Sequence, residues 1–228
     1  VGKGQVGVYI TYSKNVTISN LRIVGAESEG VWIGSSFGTV VKNCEILDCT
    51  SPTYLGSNLG YGVGLGSGTY GAIVDACYFE NCRHAVAGGG ATPAMNCVIS
   101  NCKSFDCGLG TESYDCHEST IGFRFYNIFD QAGPNGTGGI VIRGTDVVVD
   151  SCQLNGCEIL IANTETITGS TLGRTVLSNN IIKNHTTGIR TSGLYLNNIT
   201  ITGGVIENMS AEGIKLVFTC TNVKISDV

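Results

Sequence analysis

Charge is scarce in this chain. Asp, Glu, Lys and Arg make up 14% of its 228 residues, and histidine occurs three times. The 13 Lys and Arg face 18 acids, for a net charge of −5. With no basic stripe to offset phosphate repulsion, nucleic acid is excluded as a partner. No run of about 18 apolar residues occurs, so neither a transmembrane helix nor a membrane partner is expected. No segment carries the apolar stripe of a helix. No signal peptide is recognisable at Val1. The pattern is already running at Val1 and still running at Val228, so residues 1–228 read as one domain cut from a longer chain, open at both ends.

What is abundant points one way. Hydrophobic residues reach 42% and glycine numbers 33. Val, Ile, Thr, Asn and Gly favour short strands joined by turns. A nine-residue unit recurs: ISNLRIVGA from Ile18, VKNCEILDC from Val41, VDACYFENC from Val74 and ISNCKSFDC from Ile99. It continues as FRFYNIFDQ from Phe123, VDSCQLNGC from Val149, VLSNNIIKN from Val176, ITGGVIENM from Ile201 and ISDV from Ile225. A second element begins at Gly7 (GVYI), Gly30 (GVWI), Gly62 (GVGL), Gly139 (GIVI), Gly188 (GIRT) and Gly213 (GIKL). Apolar residues alternate within each element, the period of a strand with one buried face. Short strands with a period of about 24 residues predict an all-β solenoid, a parallel β-helix of about nine coils. One longer interval holds an insertion at 50–60.

The eleven cysteines keep the phase of this repeat. Cys44, Cys77, Cys102 and Cys152 share one inward position, with Leu21, Tyr126 and Asn179 expected there in other coils. Cys49, Cys82, Cys107 and Cys157 share a second, with Ala26, Gln131 and Met209. Cysteine that alternates with core residues behaves as a small buried hydrophobe. The C-x4-C spacing has no histidine companion, so no metal is assigned. Parallel Cβ vectors suit disulfides poorly. An odd number of buried thiols suggests folding in a reducing cytoplasm.

These repeats resemble the right-handed parallel β-helix superfamily, which includes pectate lyases, polygalacturonases and bacteriophage tailspikes. The resemblance covers nearly the whole chain and speaks to fold more than to function. The polygalacturonase motifs N-T-D, D-D, G-H-G and R-I-K are absent. Of the pectate lyase W-I-D-H only VWIGS at Val31 is half matched, and R-x-P-x-x-R is missing. Cys and Asn ladders, Thr-rich strands and open ends look most like a tailspike. That resemblance implies a homotrimer on a virion tail or outside the cell, binding and cleaving a surface polysaccharide. It implies no cofactor, with a calcium ion left open.

Against this background one segment stands out. TESYDCHEST, from Thr111, gathers three acids and a histidine where Gly and aliphatics are usual. Departures from a chain's own pattern mark functional sites. Asp115 and His117 are expected to point outward from one strand, with Glu118 at its end and Arg143 one coil later. Tyr9 and Trp32 are expected in the same column on one side, Arg190 and Lys215 on the other. Small residues at 62–68 and 83–90 would form a low floor between them, and Tyr54 and Tyr61 a wall. His84 and His185 read as turn residues. The picture is a sugar-binding groove with Asp115, His117, Glu118 and Arg143 as catalytic candidates. Two chemistries fit. Asp115 and Glu118 suit hydrolysis by paired carboxylates. His117 as base with Arg143 as neutralising cation suits elimination from a uronate. A non-catalytic glycan-binding or structural solenoid is the alternative to both.

Overall fold

The structure, a computed structural model, describes residues 5–50, 60–109, 111–117, 119–163, 173–193, 195–217 and 219–228. Its strands form three long parallel sheets of nine, nine and eight strands. The first sheet runs from Val8–Thr11 to Glu212–Lys215, the second from Thr17–Ser19 to Thr219–Ser226, and the third from Arg22–Val24 to Val205–Glu207. Each turn of chain contributes one strand to each sheet, and neighbours in a sheet come from successive turns. This is a right-handed parallel β-helix, as the repeat requires. Among the described residues, no helix is long and apolar enough to cross a membrane.

Corners made by left-handed residues explain the recurring Asn. Asn20, Asn43, Asn101, Asn127 and Asn179 all have φ between 49° and 58° between the second and third sheets. Asn tolerates this conformation better than other residues with a Cβ. Its amide also links coils: Asn127 donates to Asn101 at 2.9 Å, and Asn101 to Asp75 at 2.8 Å. Gly30 shows why the second element opens on glycine. A Cβ there would lie 2.5 Å from Ile46 Cγ2 and 2.7 Å from the Gly62 oxygen.

Val, Ile, Leu and Phe fill the lumen together with ten buried cysteines, while Cys220 is half-buried. All eleven cysteines are free thiols. Register places Cys44, Cys77, Cys102 and Cys152 at one level of the coil stack, with one coil between Cys102 and Cys152. Cys77, Cys102 and Cys152 lie 3.7, 3.7 and 3.8 Å from carbonyl oxygens of the preceding coil, within reach of weak S–H donation.

Two repeat boundaries need correction. The fifth unit begins at Phe125, which pairs with Ile99 and Val149, and not at Phe123. The seventh begins at Leu177, which pairs with Val149. Phe123 and Phe125 are both buried, so an alternating pattern alone does not separate them. Ile128 and Asn180 therefore take the cysteine level, in place of Tyr126 and Asn179. Tyr126 lies outward beside Ser100 and Asp150, and Asn179 forms a corner. Gln131 likewise pairs with Phe105 and Asn155 at a strand end, and Ala132 packs against the core instead. Ala26 and Met209 do face the core.

Candidate functional site

Register builds one outward column on the first sheet. Tyr9, Trp32, Gly64, Ala87, Asp115, Val141, Leu160, Arg190 and Lys215 stack in successive coils. The sequence reading placed five of these together: Tyr9, Trp32, Asp115, Arg190 and Lys215. His117 and Arg143 follow one residue beyond the strands Tyr114–Cys116 and Ile140–Ile142, on adjacent coils.

Asp115 is outward in register yet buried, against the expectation of an exposed carboxylate. Its side chain is 1% exposed, while those of His117 and Arg143 are 29% and 19% exposed. The Arg143 guanidinium donates to Asp115 Oδ2. His117 Nε2 lies 3.3 Å from the same oxygen. A buried carboxylate thus grips two groups that themselves reach solvent. The His117 ring lies on Gly89, where a Cβ would sit 2.8 Å from His117 Cβ. A side chain at 89 would displace it.

His84 is the residue that the sequence reading missed. It is buried at the start of the strand His84–Gly88, and is no turn. Its Nδ1 lies 2.6 Å from the Glu112 carbonyl oxygen, which makes Nδ1 the protonated nitrogen. Its Nε2 faces Asp115 Oδ2 at 4.0 Å. Burial pushes its pKa down to about 3, so the ring is neutral and makes no ion pair with Asp115. Tyr61, its register partner, packs on it with ring centroids 5.1 Å apart. The clue in the sequence was position: His84 falls two residues before the Val63-Val86 level, where Glu29 and Tyr61 stand in earlier coils.

Other expected groups are placed differently. Tyr61 is buried under Arg83, whose guanidinium carbon is 5.6 Å from the ring centroid, and forms no open wall. Trp32 lies down over the expected glycine floor. A Cβ on Gly66 would meet its Cζ2 at 2.2 Å, and one on Gly64 its Cε3 at 2.6 Å. The glycines therefore seat the indole and leave no trough. Arg190 is paired with Glu158 at 2.7 Å, and Lys215 with Glu212 at 2.9 Å. Val141 and Leu160, buried on the outer face, separate Asp115 from Arg190. His185 is an exposed-side turn residue whose Nδ1 lies 3.0 Å from the Thr187 oxygen. Glu118 and Tyr54 lie outside the described residues.

Glu29 is the second buried acid of this face. Burial raises its pKa, and the Ser28 hydroxyl donates to it. Three coil steps of about 4.8 Å separate its level from that of Asp115, roughly 14 Å. Paired hydrolytic carboxylates stand about 5–9.5 Å apart, so Glu29 is no partner for Asp115. Among the described residues, no group of three or more His, Cys, Asp or Glu is disposed to hold a metal.

Comparison with known proteins agrees with the architecture. The family model described as right handed beta helix region matches residues 2–92. No curated protein matches the sequence. The catalytic unit of a thermostable GH87 alpha-1,3-glucanase from Streptomyces thermodiastaticus strain HF3-3 is similar in structure, with a TM-score of 0.68 and 13% identity. The likeness covers 95% of this chain and 44% of that one. The catalytic domain of a GH87 alpha-1,3-glucanase in complex with nigerose gives a TM-score of 0.53 at 14% identity, covering 97% and 46%. The chain thus spans less than half the length of these structures. At such identity the likeness speaks to fold alone.

Proposed function

We propose that this β-helix binds a polysaccharide along the outward face of its first sheet and degrades it at Asp115, His117 and Arg143. One observation carries the reading: the buried Asp115 carboxylate holds both the Arg143 guanidinium and the His117 ring, and both partners reach solvent. With Nε2–H donated to Asp115, the basic nitrogen of His117 is Nδ1. His117 then removes the proton α to a uronate carboxylate, Arg143 neutralises the charge that develops there, and the glycosidic C–O bond on the β carbon breaks. Positioned proton transfer of this kind contributes about 10²–10⁴-fold.

The glucanase neighbours favour a second reading, hydrolysis. In that reading Asp115, held by the Arg143 guanidinium, is the nucleophile or base. Glu118 is then the acid. The exposed Tyr9 is proposed as a distal stacking surface for sugar, and Trp32 as a nearer one. Eleven free thiols support folding in a reducing compartment. A homotrimeric, tailspike-like setting is proposed on resemblance, and light scattering checks it.

The test is digestion of a panel of acidic and neutral surface polysaccharides, with reducing ends and ultraviolet absorbance followed together. Absorbance gain from unsaturated product selects elimination. Reducing ends without it select hydrolysis. Binding with no product, insensitive to Asp115→Asn, selects the non-catalytic scaffold and removes the proposal.

A further inference from the structure

The solenoid breaks its own pattern twice at one level, once outside and once inside. Outside, the break is Asp115. Inside, it is the inward column of the third sheet. That column reads Ile23, Ile46, Phe79, Ser104, Asp130, Leu154, Ile182 and Ile206 in successive coils. Ser104 and Asp130 are the polar members, both essentially without exposure. Their neighbours above and below are apolar, so packing does not demand a hydroxyl and a carboxyl here. Burying them costs free energy unless every polar atom finds a partner.

Their partners lead to the strands that carry the site. Ser104 Oγ donates to Asp130 Oδ1 at 2.6 Å. Tyr114 Oη and Ser104 Oγ are 2.8 Å apart. The Gly139 N–H donates to Asp130 Oδ2 at 2.5 Å. Tyr114 directly precedes Asp115. Gly139 opens the strand Ile140–Ile142, and Arg143 follows it. One buried carboxyl therefore ties down, from the lumen, both backbone segments whose outward side chains meet at Asp115 Oδ2.

We propose that Asp130 is a positioning residue that sets the Asp115–Arg143–His117 geometry through the sheet, by way of Ser104, Tyr114 and Gly139. The proposal rests on the site reading above, but it can be tested without turnover. A displacement of about 1 Å in a site can cost on the order of 10²-fold in rate. Two strand segments that shift independently would produce one. The network also gives a reason for placing a carboxyl among Ile, Phe and Leu.

Asp130 can report on itself. Burial pushes its carboxyl up to about 6. The titratable groups that face it are Tyr114 from the site strand, and Cys152 and Cys157 from the following coil. Burial raises all three, so they stay neutral while Asp130 titrates.

The experiment uses nuclear magnetic resonance of the unliganded protein. In the unmodified chain, the Asp130 carboxyl carbon should titrate near pH 6. Part of the Arg143 guanidinium shift should follow the same curve, and that part should vanish in Asp130→Asn. A triple variant, Ser104→Ala, Tyr114→Phe and Asp130→Leu, restores an apolar column. Removing the three side-chain partners together strands none of them, and of the network only the Gly139 N–H loses its acceptor. This variant should fold, yet move the His117 ring and Arg143 signals and lower turnover about tenfold or more at near-unchanged KM. An Arg143 signal indifferent to Asp130 titration in the unmodified protein overturns the proposal, whether or not a variant folds. So do unchanged His117 and Arg143 signals in the folded triple variant. Absent turnover with the expected shifts overturns the enzymatic reading alone.

Discussion

Asp115 lies on the outer face of the first sheet and Asp130 on the third sheet, facing the lumen; each is about 1% exposed or less, and they behave as different acids. Outside, Asp115 meets a guanidinium and an imidazole. Inside, Asp130 accepts from a hydroxyl and a backbone N–H, both neutral, and its carboxyl is pushed up to about 6. Burial is common to both. The partner decides which protonation state the fold supports. The guanidinium and the imidazole leave an outer carboxylate able to orient chemistry. The neutral partners leave an inner carboxyl suited to holding backbone in place.

The largest effect should come from breaking the outer pair. Arg143→Met leaves Asp115 buried without its strongest partner and should cost about 3–5 kcal/mol in denaturant unfolding. Adding Asp115→Asn should return part of that loss. A single variant as stable as the parent would mean that the two faces do not differ in the way described.

His117→Ala separates function from stability. Its ring rests on Gly89 and is partly exposed, so the melting temperature should change little. Turnover on a responsive glycan should fall by about 10²-fold or more. Equal losses of stability and rate would make His117 a packing residue.

Stability against pH sharpens the comparison further. His84 has its pKa lowered from 6.5 to about 3, so between those values the unfolded chain binds the extra proton and stability rises with pH. Asp130 is raised from 3.8 to about 6, so over that window the folded chain holds the extra proton and stability falls with pH. The two slopes oppose each other, each at most about 1.4 kcal/mol per pH unit. Asp130→Asn should therefore unmask a loss of stability on acidification below 6.5. His84→Asn should unmask a loss as pH rises from 3.8 to 6. Chemical denaturation at several pH values measures both, and parallel curves for the two variants would contradict the assignment.

The smallest effect belongs to the far end of the outer column. Arg190→Ala removes a half-exposed pair with Glu158 and should cost less than about 1 kcal/mol. A larger loss would mean that Arg190 does more than neutralise its neighbour.

The sequence carried the coil because its signals are local and repeated: Asn corners, cysteine phase and glycine at the start of most outer strands. It carried Asp115 and His117 because TESYDCHEST breaks a pattern that the other coils keep, and Arg143 because GIVIRG falls one coil later in the same phase. His84 stayed hidden because its meaning depends on Tyr61 and Glu112, residues 23 and 28 positions away, and on burial that no alternation reveals. Asp130 stayed hidden because Phe123 and Phe125 both fit the start of their unit, and the wrong choice moves Asp130 off its inward column. The glycine floor was misjudged because glycine creates space without saying what fills it, and Trp32 does.

The most direct test is the turnover of Asp115→Asn on whichever surface polysaccharide the unmodified protein digests. The substitution keeps shape and removes the charge that holds His117 and Arg143. A folded variant that has lost about 10²-fold or more in rate while still binding the glycan agrees with a buried carboxylate that orients its two solvent-reaching partners. Turnover at the parent rate would contradict it.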